Sequence, residues 1–99
     1  VSGSGPAYVF LMIESLTAAG IAAGLKPELS ASLATATVSG AGELAFRSDD
    51  DAEILRRNVT SPGGTTAAAL AVLMADDGLN TLMTKAVQAA TDRSRELAG

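Results

Sequence analysis

The 99-residue chain contains no cysteine and no histidine. Their absence excludes disulfides, thiol nucleophiles, zinc sites of the usual kind and imidazole acid–base chemistry from this stretch. We therefore expect no metal site. The lack of cysteine does not fix the compartment, although it fits a cytoplasmic protein.

Positive charge is also scarce, because seven Lys and Arg residues stand against eleven Asp and Glu, for a formal net charge of −4. The basic clusters are limited to Arg56-Arg57 and to Arg93 with Arg95 near the end of the chain. Contacts to phosphates need a concentrated face of Lys and Arg. We therefore expect no nucleic-acid partner.

The chain has no long uninterrupted hydrophobic run. The run Ala7 to Ile13 is ended by Glu14, whereas about 20 apolar residues are needed to span a bilayer. A basic leader typical of a cleavable signal is not visible either, so we expect no membrane partner. The chain begins at Val1 rather than Met, which indicates a piece of a longer protein.

Small apolar residues are abundant: hydrophobic residues make up 47% of the chain, and 20 residues are Ala. The apolar surface is thus spread over small side chains, and a domain of this length leaves much of its surface exposed when it folds. We expect one domain over residues 1–99. A second copy would cover the excess apolar surface, as in an obligate homodimer.

The apolar pattern predicts an all-α fold, because no run of alternating β-branched residues lies between turns. Prolines, glycines and acidic residues mark the helix ends. Gly40 and Gly42 predict a close approach of another helix or a bend. The expected helices run from Ala7 to Ala23, from Pro27 to about Arg47, from Ala52 to about Arg57, from the end of the Thr60–Thr66 loop to Ala75, and from about Leu79 to Leu97. The first is expected to be buried all round, with Gly24 as its left-handed cap. The third is expected to be capped by Asp50.

The loop Thr60-Ser61-Pro62-Gly63-Gly64-Thr65-Thr66 leads into the fourth helix. The start of a helix presents free backbone N–H groups and the positive end of the helix dipole, and glycines let a ligand come close. Such a loop suits a small anion such as a carboxylate, and its hydroxyls suit a neighbouring nitrogen. The structural alternative is a turn in which Ser or Thr caps the helix. Two glycines and four hydroxyl residues are more than one cap needs.

Other chemistries fail on particular residues. The phosphate-binding loop of nucleoside triphosphatases needs Lys after its last glycine, where this chain has Thr65 after Gly64. Ser2-Gly3-Ser4-Gly5 has the glycines of a dinucleotide-binding turn but no strand before it. The acidic residues 49–51 are typical of a solvated helix start.

Two motifs together resemble a known family. They are Ser2-Gly3-Ser4-Gly5-Pro6-Ala7-Tyr8, followed by a helix with Glu14, and Val59-Thr60-Ser61-Pro62-Gly63-Gly64-Thr65-Thr66 with Leu70, Leu73 and Gly78-Leu79 after it. Both closely resemble the C-terminal domain of the pyrroline-5-carboxylate reductase family, and the resemblance runs in order through the whole chain. Either motif alone would be weak, whereas the pair at this distance is specific.

The resemblance implies a fold and an activity. Enzymes of this family reduce 1-pyrroline-5-carboxylate, a small molecule, to L-proline with NADPH or NADH, in the last step of proline biosynthesis. An N-terminal Rossmann domain binds the dinucleotide. The C-terminal domain is an all-α helical bundle, similar to those of the 6-phosphogluconate dehydrogenase superfamily, and forms an interlocked homodimer that assembles further in many members.

The resemblance also implies a role for individual residues. Backbone N–H groups around Ser61, Gly63, Gly64, Thr65 and Thr66 would bind the substrate carboxylate. The Thr66 hydroxyl would meet the ring nitrogen as the catalytic group, and Gly3 and Ser4 would lie near the nicotinamide. Where many relatives carry Glu before the short helix, this chain has Asp49, which is one methylene shorter. That departure puts in question any role of the position, such as facing the substrate nitrogen.

The implied chemistry is compatible with the residues present. Hydride transfer to a C=N bond depends on placement and on a protonated or hydrogen-bonded nitrogen more than on a strong base. Without its Rossmann domain, this stretch is expected to be inactive. Two alternatives stay open: a non-catalytic helical dimerisation or interaction module whose loop only caps a helix, and a relative that acts on another cyclic imine.

Overall fold

The computed structural model describes residues 3–99, which form five helices and, within that range, no strand. The all-α prediction is therefore confirmed. The chain divides into two compact units, an N-terminal unit that ends at Asp51 and a C-terminal unit that covers Ala52–Gly99. The helices are α1 (Gly5–Ala22) and α2 (Pro27–Arg47) in the first unit, and α3 (Ala52–Asn58), α4 (Thr65–Leu73) and α5 (Leu79–Ala98) in the second.

Helix α1 ends in a turn that depends on Gly24, as the sequence predicts. Gly24 has a φ of 111°, a left-handed conformation that glycine adopts without a steric penalty. Its N–H bonds the Ile21 carbonyl, and the N–H of Leu25 bonds the Gly20 carbonyl, both at 3.0 Å. These two bonds form a Schellman motif, which satisfies carbonyls at the helix end and turns the chain towards Pro27.

The two helices of the N-terminal unit come close together at Gly20. A Cβ atom at this position would lie 2.1 Å from the Oγ of Ser30. The Ser30 hydroxyl donates to the Thr17 carbonyl at 2.7 Å, so α2 is hydrogen-bonded to the backbone of α1. The close approach expected at Gly40 and Gly42 is not found among the described residues, since no heavy atom apart from the chain neighbours and the local helix backbone lies within 4 Å of a Cβ built at either glycine.

The short helix α3 begins at Ala52, as predicted, but the predicted cap residue Asp50 is not adjacent to it. Asp51, rather than Asp50, directly precedes Ala52, while the N–H of Asp50 bonds the Ser48 hydroxyl at 3.0 Å. Arg57 and Glu53 form an exposed ion pair one turn apart. Such a pair contributes only about 0.3–0.5 kcal/mol, so α3 needs further contacts to stay folded.

Very few of the described side chains are buried within one chain. Ser30 and Ala34 are 2% and 6% exposed, whereas no residue of α1 is buried. The expectation that α1 is buried all round is therefore not met by the chain alone. Fully covering a large apolar side chain is worth about 1.5–3 kcal/mol, so covering six of them would contribute on the order of 10 kcal/mol. That is comparable to the stability of a whole domain.

Helix α1 is also long and apolar enough to cross a membrane by length and composition, with 18 residues of mean hydropathy 1.3. The apolar run Ala7 to Ile13 stops at Glu14, but the helix continues past Glu14 to Ala22. A core helix of a soluble protein passes the same test. The absence of a membrane partner accordingly stays a prediction.

We predict that Gly20→Ala destabilises the protein by about 1–3 kcal/mol, because the added methyl overlaps the Ser30 hydroxyl. Denaturant unfolding would measure the change. In a Ser30→Ala background the hydroxyl is gone, and the nearest remaining atom of residue 30 is its Cβ, 3.3 Å from the added methyl. Gly20→Ala should therefore destabilise that background less. Equal costs in the two backgrounds would show that the Gly20–Ser30 contact does not hold α1 against α2.

Candidate functional site

The loop between α3 and α4 is tied to the end of α3. The hydroxyl of Thr60 donates to the Arg56 carbonyl at 2.6 Å, and the N–H of Thr60 bonds the Arg57 carbonyl at 3.1 Å. Gly63 has a φ of 70°, and the N–H of Gly64 turns back to the Ser61 carbonyl at 3.1 Å. The loop is therefore a hydrogen-bonded turn that requires glycine at position 63.

Helix α4 starts without a side-chain cap. Its cap residue is Gly64, in an extended conformation and without a side-chain capping bond, and its first helical bond runs from the Ala68 N–H to the Gly64 carbonyl at 3.2 Å. The N–H groups of Thr65 and Thr66 fall in the first turn, where helix geometry provides no carbonyl partner. These donors are available to a ligand.

The hydroxyls of the loop are not used for capping either. Ser61, Thr65 and Thr66 are exposed, and across residues 3–99 no hydrogen bond engages any of these three hydroxyls. Among the four hydroxyl residues of the loop, only Thr60 donates its hydroxyl to a backbone carbonyl, that of Arg56. The interpretation of the loop as a turn in which Ser or Thr caps the helix therefore does not account for this geometry.

The glycines keep the approach to these donors open. Nothing lies within 4 Å of a Cβ built at Gly63, while one at Gly64 would stand 3.3 Å from the Ser61 carbonyl oxygen. The start of a helix also carries roughly half an elementary positive charge. Free N–H groups, positive potential and open space together suit a small carboxylate. Within the described range, no three His, Cys, Asp or Glu side chains are grouped so that they could hold a metal ion.

A groove of about 320 Å³ lies beside the loop, between α3 and α4. Its polar lining comes from Thr60 and two arginines, and the rest is apolar. Arg56 reaches across it, with its Nη1 3.6 Å from the Sδ of Met74. The groove is mainly apolar, which distinguishes it from the polar loop. The lining residues are Arg56, Arg57, Thr60, Ala67, Leu70, Ala71 and Met74.

The other predicted site residues, Gly3 and Ser4, belong to the N-terminal unit, at the start of α1; Ser2 of the same motif lies outside the described residues. Ser4 is the cap residue of α1 yet makes no side-chain capping bond. Its Oγ lies 2.9 Å from the Oη of Tyr8. Tyr8 was not among the residues predicted to have a role, although residues four apart on a helix lie on one face.

Asp49 is exposed, in the segment that joins α2 to α3. It belongs to the N-terminal unit, whereas the Thr60–Thr66 loop belongs to the C-terminal unit.

The chain matches the model of the family described as pyrroline-5-carboxylate reductase dimerisation over residues 1–97. It is 50% identical over 97 residues to the pyrroline-5-carboxylate reductase of Arabidopsis thaliana, covering 98% of this chain and 35% of that protein. It is 46% identical over 98 residues to that of Pseudomonas aeruginosa, covering 99% of this chain and 36% of the relative. The chain thus spans about a third of the length of these curated relatives.

Two solved structures share the fold. A pyrroline carboxylate reductase from Plasmodium falciparum with NADP bound superposes with a TM-score of 0.92 at 41% identity, covering 99% of this chain and 37% of that one. A pyrroline-5-carboxylate reductase from Coxiella burnetii gives a TM-score of 0.92 at 44% identity, covering 98% and 36%. With the family match over nearly every residue, these likenesses show that the chain belongs to the pyrroline-5-carboxylate reductase dimerisation family.

Proposed function

We propose that the protein containing this chain is a cytoplasmic pyrroline-5-carboxylate reductase, which reduces 1-pyrroline-5-carboxylate to L-proline with NADPH or NADH in proline biosynthesis. The observation that carries the proposal is the family match over residues 1–97. The free donors at the start of α4 support it, because the substrate offers a carboxylate and a ring nitrogen to bind. A Rossmann domain outside this chain would bind most of the dinucleotide.

In this proposal the loop fixes the substrate by its carboxylate. Backbone N–H groups of Ser61, Gly63, Thr65 and Thr66 would surround the two oxygens, where the positive end of α4 strengthens each bond. The N–H of Gly64, which bonds the Ser61 carbonyl, would hold the turn in shape. Because the donors belong to a turn and a helix, they are oriented before the substrate arrives. Preorganised donors of this kind lower the barrier by holding the reacting atoms in line.

The Thr66 hydroxyl would hydrogen-bond the ring nitrogen, and Gly3 with Ser4 would contact the nicotinamide end of the cofactor. When bound, the reduced nicotinamide supplies a hydride to the carbon of the C=N bond. The nitrogen then carries the electron pair of the former π bond and keeps a proton. A hydroxyl that can both donate and accept serves either protonation state of this nitrogen.

The exposed apolar residues support a homodimer, with further assembly in the full protein. Phe10 of α1 is 64% exposed and Val72 of α4 is 73% exposed, and many other large apolar residues are exposed as well; exposed apolar surface of this extent is typical of a protein–protein interface. A second copy would cover such residues. For α1, the family's dimerisation role favours a protein partner over lipid.

We predict that Thr66→Ala in the full-length protein lowers kcat/KM for the imine about 10- to 100-fold, the usual loss for a hydrogen bond to a charged group. The hydroxyl has no partner within the described chain, so the melting temperature and the dimer should not change. Thr66→Ser keeps the hydroxyl and should retain most of the activity. An unchanged rate in the alanine variant would remove Thr66 from the mechanism.

Gly63→Ala should raise the KM for the imine about 5- to 30-fold, since a non-glycine residue in the left-handed region costs about 1–2 kcal/mol and distorts the loop. Gly63→Asn is the matched control, because Asn tolerates this conformation better than Ala. Steady-state kinetics at saturating cofactor would compare the two. Equal effects would mean that backbone conformation at position 63 does not shape the site.

A polypeptide of residues 1–99 alone should form a dimer in sedimentation experiments but should not reduce NADP with proline as the donor. The reason is that we assign the principal dinucleotide site to another domain. Proline-dependent reduction by this polypeptide would contradict the assignment. A non-catalytic dimerisation module, the alternative function, would instead lack imine reduction in the full-length protein as well.

A further inference from the structure

The Ser4 hydroxyl is prevented from doing what a cap residue usually does. A Ser at the start of a helix accepts a hydrogen bond from the N–H of the second or third helical residue. In α1 the second residue is Pro6, which has no N–H. The third is Ala7, whose N–H is taken by the backbone carbonyl of Ser4 at 3.0 Å. Both usual partners are therefore unavailable.

Tyr8 takes the place of those partners. Its Oη lies 2.9 Å from the Oγ of Ser4, and either atom can be the donor. Both residues are half-buried, so this hydrogen bond is shielded in part from water. Each hydroxyl can donate once and accept twice. After the shared bond, the pair keeps one free proton and free lone pairs, with the Ser4 side chain fixed in direction.

We propose that Tyr8 is a positioning residue that orients the Ser4 hydroxyl towards the nicotinamide end of the dinucleotide. The inference rests on the proposed function, which gives Ser4 its contact with the cofactor. It adds the reason that Pro6 and Tyr8 stand where they do: Pro6 denies Ser4 a capping partner, and Tyr8 sets the direction of the hydroxyl that is thereby free. Tyr8 itself need not touch the cofactor.

The test uses the full-length protein with Tyr8→Phe, Ser4→Ala and the double variant. Each single substitution should raise the KM for NADPH about three- to tenfold, the usual effect of one hydrogen bond, with the KM for the imine unchanged. The KM of the double variant for NADPH should not exceed that of the single variant with the larger increase, because the two hydroxyls act as one unit. Thr17→Val is the matched control, since it removes a hydroxyl of α1 that bonds only the Ile13 carbonyl.

A merely structural Tyr8 would lower the melting temperature and shift both KM values, or would give effects that add to those of Ser4→Ala; either result overturns the inference. If Ser4→Ala raises the KM for NADPH and Tyr8→Phe does not, only the positioning role fails. If neither variant affects NADPH, the placement of Ser4 at the cofactor fails with it. Loss of the proposed function is a separate result, seen as no imine reduction by the unsubstituted protein.

Discussion

The contact between Gly20 and Ser30 lets the two helices of the N-terminal unit meet, and the buried side chains of the described chain, Ser30 and Ala34, lie at or one turn from it. A glycine on one helix removes the steric barrier, and a hydroxyl on the other finds a backbone carbonyl, at 2.7 Å. The buried polar atom is thereby satisfied. Packing of this type uses small residues, and most large apolar side chains of the two helices stay exposed.

The threonines show why the Thr60–Thr66 loop differs from the rest of the chain. Within the helices, the hydroxyls of Thr17, Thr37, Thr84 and Thr91 each bond the carbonyl four residues earlier. Thr65 and Thr66 stand in the first turn of α4, where the residues four positions earlier lie outside the helix. No helical carbonyl four residues earlier is therefore in place to accept from them. Thr81, in the first turn of α5, finds the Asp76 carbonyl outside its helix, whereas Thr65 and Thr66 have no such partner in the described chain. The freedom of their N–H groups follows from the first-turn position.

The sequence predicts local features well, because the causes of those features are local. Pro27 and Arg47 bound α2 as expected, and Gly24 adopts the predicted left-handed turn. Contacts between helices are harder to predict, since Gly20, Gly40 and Gly42 have similar surroundings in sequence and only Gly20 meets a neighbour in the described chain. The hydrogen bond between Ser4 and Tyr8 could have been predicted from their four-residue spacing. Whether α1 is buried by its own chain or by another molecule could not be predicted, because an apolar sequence does not reveal which chain covers it.

The order of the Thr60–Thr66 loop depends on the packing of the apolar surface of α4. A helix of nine residues is marginal in water by itself, and most helices in proteins depend on the packing of their apolar residues. Leu73 and Val72 are exposed in the single chain, so that packing has to come from elsewhere. The N–H groups of Thr65 and Thr66 are aligned only while α4 is formed. Whatever covers α4 therefore also orders the Thr60–Thr66 loop, and an anion at its first turn would stabilise the helix in return. This reciprocity would give a physical reason for the proposed substrate loop to lie in a dimerisation domain.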